Sequence, residues 1–129
     1  MREENLTLIR KGYEAFAKDD LEFIRSMTAP EGVWRTPGYG RLEREYRGPE
    51  GVIRYLISLA ALTDGTFKSE SEAMFADAER VVSLDHITGT RKGIMLDTHV
   101  VHIFLIHDGK VIEVTDFASE PERNQAFWE

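Results

Sequence analysis

The first half of the chain carries apolar side chains at spacings of three and four residues, which are typical of amphipathic helices. This spacing predicts a helix over residues 4–18, a shorter one over 21–27 and a third that opens at Gly48 and ends at Thr63. Gly12 lies inside the first helix and indicates either close packing against that face or simple tolerance of glycine.

From Thr66 onward the apolar residues recur with a period of two, which is typical of β-strands. The segments between these strands are too short for parallel crossovers and therefore predict antiparallel hairpins. Before them, the sequence predicts a short strand over 33–36 and a charged, solvated loop over 40–46. The long strands are predicted over residues 67–76, 80–91, 94–107 and 110–118.

This order of elements predicts one α+β domain over residues 1–129, with three N-terminal helices packed on a strongly curved antiparallel sheet. Long strands twist strongly, so the sheet has a concave face, and helices that cover only part of it leave an apolar pocket. Residues 100–106 are apolar on both faces of their strand. We therefore expect a homodimer that pairs the convex sheet faces.

The composition of the chain limits the reactions and partners that it can have. The chain has no cysteine, which excludes disulfides, zinc-thiolate sites, iron–sulfur clusters and thiol nucleophiles. The net charge of −7 disfavours nucleic acids and anionic membranes as partners. The sequence shows no signal-peptide profile or membrane-spanning run, so a cytoplasmic location is expected. Motifs for phosphate binding or a nucleophilic serine are also missing, so any catalysis is expected to need no cofactor.

Two polar residues in apolar strands are candidates for catalysis. His102 lies between Val101 and Ile103, where an imidazole can exchange protons near neutral pH. Asp116 lies in an otherwise apolar strand, where burial makes a carboxyl group a credible general acid or base. The competing interpretations are a core or interface histidine and a salt bridge at a strand end.

Aromatic residues on the elements that border the pocket are candidates for ligand binding, since aromatic walls suit a flat aromatic or polycyclic molecule. Ordinary core packing is the alternative for each of them. His86 is a weaker candidate for the same role. The aromatic candidates are Tyr13, Trp34, Tyr55 and Phe104.

The predicted sheet contains all four histidines of the chain, which raises the question of a metal site. Alternate residues of a strand face opposite sides, so His99 and His102 are expected on different faces. His107 is expected at the end of a hairpin. We therefore predict no metal site.

Three segments, together with the order of the elements, resemble the nuclear transport factor 2-like superfamily, and SnoaL-like proteins within it. They are Tyr46–Gly51, His102–Glu113 and the terminal Phe127-Trp128. The resemblance covers residues 4–129 and implies a cystatin-like cone that encloses a pocket. The superfamily includes ketosteroid isomerases, polyketide cyclases, epoxide hydrolases, dehydratases and noncatalytic domains, so the fold does not settle the function.

When the isomerase site is compared residue by residue with this sequence, its catalytic residues are not found. Thr36 stands before Pro37 where those enzymes have their general-base aspartate, and the oxyanion-hole tyrosine falls at about Gly12. Threonine is not a base at neutral pH, and glycine has no hydroxyl. The neighbouring Tyr13 leaves a shift of one residue open.

The resemblance to polyketide cyclases fits better, because they place a histidine on the penultimate strand and an aspartate on the last. His102 and Asp116 match these positions. A two-residue turn between the strands would pair His102 with Thr115, whereas a three-residue turn with a glycine bulge would pair it with Val114. Only the second puts His102 and Asp116 on one face, and the resemblance favours it.

The leading hypothesis is a homodimer that binds a small, largely apolar carbonyl compound, with Asp116 and His102 moving protons in an aldol-type cyclisation or isomerisation. The first alternative is a noncatalytic ligand-binding or dimerisation domain of the same fold. The second is an epoxide-hydrolase-like or dehydratase-like site with a water held beside a carboxylate, which requires a further buried charged partner.

Overall fold

The computed structural model describes residues 1–129 as four α-helices and one six-stranded sheet, which confirms the α+β class. The helices are α1 (Arg2–Ala17), α2 (Leu21–Met27), α3 (Gly48–Leu62) and α4 (Pro121–Trp128). The strands are β1 (Thr28–Arg35), β2 (Glu45–Arg47), β3 (Lys68–Ala76), β4 (Arg80–Arg91), β5 (Ile94–His107) and β6 (Lys110–Ala118). None of the helices is long and apolar enough to cross a membrane.

The sheet has the strand order β2-β1-β6-β5-β4-β3. Strands β3 to β6 form consecutive antiparallel hairpins, as predicted, whereas β1 runs parallel to β6. This parallel pairing joins the N-terminal part of the chain to its last strand. It places Trp34 of β1 opposite Val114 of β6, next to the middle of the sheet.

Helices α1 and α2 pack closely where Gly12 faces Met27. A Cβ atom on Gly12 would lie 2.9 Å from the Met27 side chain, closer than such atoms normally approach. The glycine therefore permits close packing, the first of the two interpretations offered for it.

Three segments differ from the predictions. The predicted loop over 40–46 contains a 3-10 turn (Gly40–Leu42) and the start of β2, because Tyr46 is buried and its hydroxyl donates to the Leu42 carbonyl at 2.7 Å. Strand β1 begins earlier than predicted, since Thr28 already pairs with Val111. The C-terminal residues form the helix α4, in which Trp128 is fully buried.

The β5–β6 hairpin corrects both predicted registers. His107 pairs with Lys110 across a two-residue turn, Asp108-Gly109, in which both residues have positive φ. One residue later a β-bulge at Ile112 shifts the register, so that Leu105 pairs with Glu113. His102 consequently lies directly opposite Asp116, rather than Thr115 or Val114, and the two residues share one face of the sheet.

Candidate active site

A cavity lies between the helices and the inner face of the sheet, and buried apolar clusters on both sides contribute to its wall. Its volume is about 90 Å³, and the empty space reaches about 840 Å³ when the open mouth is included. A cavity of ~150 Å³ accommodates benzene. Even a ligand with a single ring must therefore extend into the mouth.

The polar part of this wall centres on His102, which lies between two carboxylates. Its Nδ1 is 2.7 Å from Oδ2 of Asp85, and its Nε2 is 3.3 Å from Oδ1 of Asp116. Both aspartates are fully buried, and His102 is 7% exposed. We call Asp85, His102 and Asp116 the buried triplet.

Asp85 is surrounded by hydrogen-bond donors from its own strand, from β3 and from α1. The hydroxyl of Ser83 donates to Oδ1 at 2.5 Å, and that of Ser69 donates to Oδ2 at 3.2 Å. The phenol of Tyr13 on α1 also donates to Oδ2. With His102, four side chains contact this carboxylate.

On the other side of His102, two side chains contact the carboxylate of Asp116. The indole N–H of Trp34 donates to Oδ1 at 2.8 Å, and the hydroxyl of Tyr55 lies 3.5 Å from Oδ2. The parallel β1–β6 pairing brings Trp34 within reach. Asp116 is not part of the cavity wall, whereas Asp85 and His102 are.

Burial and charge act against each other in the triplet. Burial alone would lower the pKa of His102, but the carboxylates of Asp116 and Asp85 outweigh it and raise the pKa to about 10. Burial likewise opposes ionisation of Asp85, yet the contact with the His102 imidazolium and the hydrogen bonds from Ser83 and Tyr13 lower its pKa. Desolvation and the charge of Asp85 raise the pKa of Tyr13, so its phenol stays neutral.

The His102–Asp85 contact is an ion pair rather than a linear hydrogen bond. Nδ1 is completely enclosed, and its N–H bond is not aligned with any acceptor although Oδ2 of Asp85 is close. The site therefore holds an imidazolium ion beside a carboxylate, without a well-directed hydrogen bond between the two groups.

The structure brings most of the predicted site residues together. His102 lines the cavity, and Asp116 lies behind it. Phe104 stacks on the His102 ring at a centroid distance of 6.1 Å. The predicted aromatic residues that line the cavity are Tyr13, Trp34, Tyr55 and Phe104.

His86 does not contribute to the cavity, contrary to the prediction. It follows Asp85 in the same strand and therefore points to the outer face of the sheet. There its Nε2 lies 2.7 Å from Oδ1 of Asp97, and its ring stacks on that of His99 at 5.1 Å. No group of three or more histidine or acidic side chains in the structure is arranged to hold a metal ion.

Asp85 is the site residue that the sequence interpretation missed. The inward residues of β4 alternate with the outward ones. The available signal was therefore a carboxylate on the face that also carries apolar residues. These inward residues are Val81, Ser83, Asp85 and Ile87. Val82 and Leu84 obscured it, because apolar residues at the outward positions hide which face of the strand is buried.

The two positions carried over from the isomerases have structural roles. Thr36 is buried, and its hydroxyl donates to the Leu42 carbonyl at 2.7 Å. Gly12 borders the cavity and packs on Met27. The tyrosine that reaches the polar end of the cavity is the next residue, Tyr13.

Comparison with known proteins agrees with the family resemblance seen in the sequence. The model of the SnoaL-like domain matches residues 9–114. An uncharacterised protein of Mycobacterium tuberculosis is 26% identical over 125 residues, which cover 96% of this chain and 95% of that protein.

Solved structures share the whole architecture. Bal32a, from a soil-derived mobile gene cassette, superposes with a TM-score of 0.94 at 26% identity and covers 98% of both chains. A putative SnoaL-like polyketide cyclase from Jannaschia sp. CCS1 shares the fold at 17% identity, with a TM-score of 0.82 over 99% of this chain and 94% of that one. The predicted cystatin-like, nuclear transport factor 2-like fold is thereby confirmed.

Proposed function

The chain belongs to the SnoaL-like domain family, and we propose that it binds a small, largely apolar carbonyl compound and transfers a proton to or from it without a cofactor. One observation carries this proposal: an imidazole is enclosed between two buried carboxylates in the wall of an otherwise apolar cavity. Buried charges are costly, and a core that only has to be stable does not need them. Clusters of this kind in a cavity are typical of sites for proton transfer.

The geometry suggests a role for each member of the triplet. His102 donates a proton to the ligand's carbonyl oxygen while Asp85 removes a proton from the adjacent carbon. Because a carboxylate with a lowered pKa is a weak base, the two transfers have to be coupled. Asp116 lies outside the cavity wall and positions His102. The base role expected for Asp116 is therefore assigned to Asp85.

The charge of the site limits the ligand. No lysine or arginine lines the cavity, and the triplet has two carboxylates for one imidazolium. An anionic ligand would be repelled at short range in a poorly solvated space. The proposed ligand is therefore neutral, with its carbonyl group at the polar end and its apolar part against Trp34, Tyr55 and Phe104.

The test is proton exchange at carbon atoms. A panel of neutral cyclic and aromatic ketones is incubated with the protein in heavy water, and deuterium next to each carbonyl is followed by NMR. We expect Asp85→Asn and His102→Gln to slow this exchange by about 100-fold or more, while a thermal-shift assay still detects the ligand. His86→Gln, on the outer face, is the matched control and should leave the exchange rate unchanged.

The outcomes of this assay separate the hypotheses. Binding without exchange in the wild type would favour the noncatalytic ligand-binding domain and overturn the proton transfer. Exchange that persists in both triplet variants would also overturn the proposed roles.

A second candidate reaction is the addition of water to an epoxide. It requires a further buried charged partner beside a carboxylate, and Asp85 next to His102 supplies such a pair. A panel of neutral cyclic epoxides tests it directly. Diol formation that depends on Asp85 would favour this reaction over carbon–proton exchange.

We also propose a homodimer through the outer face of the sheet. Leu84, Val101 and Phe117 lie side by side on three neighbouring strands of this face, and Leu84 and Phe117 are 38% and 52% exposed. Such a row is costly to leave in water. Light scattering should show a dimer that Phe117→Lys converts to a monomer, and a monomeric wild type would contradict it.

A further inference from the structure

A row of hydroxyl groups leads from the buried triplet to the protein surface, away from the cavity. Ser71 on β3 is exposed, and its Oγ lies 2.8 Å from Oγ of Ser83. Ser83 is fully buried and donates to Oδ1 of Asp85 at 2.5 Å. The other oxygen of Asp85 lies 2.7 Å from Nδ1 of His102.

The direction of these hydrogen bonds is fixed. A serine hydroxyl has one proton, and Ser83 uses it for the carboxylate of Asp85. Ser83 must therefore accept from Ser71, whose only other acceptor is the Ala73 carbonyl at 3.4 Å. The chain of donors points from solvent toward His102.

The fold builds this row at an irregularity in the sheet. A β-bulge lies between Ser71 and Ala73, at the edge strand β3, and Ser71 pairs with Asp85 in register. Ser83 pairs with His102 on the other side. Three neighbouring strands thus place their hydroxyl, carboxyl and imidazole groups in one line.

From this geometry we infer that Ser71 and Ser83 form a proton relay between bulk water and His102. Water protonates Ser71, which passes its own proton to Ser83, and Ser83 passes its proton to Oδ1 of Asp85. The carboxyl group then turns about its Cβ–Cγ bond and passes this same proton to Nδ1 of His102. One proton moves inward, each hydroxyl regains one proton, and no electrons are exchanged. The inference rests on the proposed function, since His102 has to regain a proton after each transfer and its Nδ1 is enclosed.

The relay is tested on the resting protein, without turnover. NMR on protein with isotopically labelled histidine measures how fast the enclosed N–H proton of His102 exchanges with water. We expect Ser71→Ala and Ser83→Ala each to slow this exchange by about tenfold or more. Ser71→Ala is the sharper variant because it leaves every contact of Asp85 in place.

Ser69→Ala is the matched control. Ser69 also donates to Asp85, but it lines the cavity and does not contact Ser83 or Ser71. If all three variants slow exchange equally, the effect comes from general loosening of Asp85 and the relay is wrong. Unchanged exchange in folded Ser71→Ala and Ser83→Ala would overturn it as well.

The two proposals fail in different ways. Slow imidazole exchange in Ser71→Ala, together with no reaction on any ketone, supports the relay and contradicts the proton-transfer function. Ketone exchange that depends on His102, together with normal imidazole exchange in Ser71→Ala, supports the proton-transfer function and contradicts the relay.

Discussion

The two faces of the sheet carry the same kind of contact in different surroundings. On the inner face Nδ1 of His102 lies 2.7 Å from Asp85, and on the outer face Nε2 of His86 lies 2.7 Å from Asp97. Asp85 is fully buried, whereas the Asp97 side chain is 63% exposed. Contact distance therefore does not distinguish the two pairs. The difference lies in solvent, which screens the outer pair and leaves the inner charges strongly coupled.

The largest expected effect comes from removing the cation of the inner face. In His102→Leu, Asp85 and Asp116 are left as two buried carboxylates without a cationic partner, which should lower the free energy of unfolding by about 3–5 kcal/mol. Urea denaturation measures this loss. His86→Leu on the outer face is the control and should leave the unfolding midpoint nearly unchanged. Equal losses in both variants would remove the contrast between the faces.

The pH dependence of stability should show the same contrast. The pKa of His102 rises from 6.5 to about 10 on folding, so its ion pairs stabilise the protein fully below pH 6.5 and are lost as the pH rises through about 10. Denaturation at several pH values in this window should show falling stability in the wild type and a flatter profile in His102→Gln. An NMR titration of His102 with a midpoint near its ordinary pKa would contradict this expectation.

The smallest effect is expected on the outer face. The hydrogen bond that His86 donates to Asp97 is the main cause of the raised pKa of His86. Asp97→Asn should lower that pKa toward its ordinary value without a detectable change in melting temperature, since the pair is exposed. NMR titration and calorimetry measure the two quantities. A clear loss of stability would mean that the outer pair is also strongly coupled.

The sequence was informative wherever local spacing decides the structure. The predicted strands over 80–91, 94–107 and 110–118 agree with β4, β5 and β6. Strand β2 and helix α4 were missed, because each is short and its buried aromatic residues, such as Tyr46 and Trp128, form no repeating pattern along the chain. Most of the predicted pocket residues line the cavity because they lie on elements whose inner face is unambiguous.

The candidate site was only half visible in the sequence. His102 and Asp116 were found as polar residues in apolar strands and through the family resemblance. Asp85 was missed because β4 carries apolar residues on both faces, and His86 was placed in the pocket although it points away from it. Periodicity gives the alternation of a strand, but burial by the rest of the fold decides which face is inside.

By itself, the sequence determined the first three helices, the four long strands and the absence of thiol chemistry, because these depend on residue type and on spacings of a few positions. Tertiary structure decided the register and the site. The bulge at Ile112 sets His102 opposite Asp116, and the pairing of β4 with β5 brings Asp85 to the same imidazole. These contacts join residues that are distant in the chain, so they arise only when the strands pair and the helices exclude water from between them.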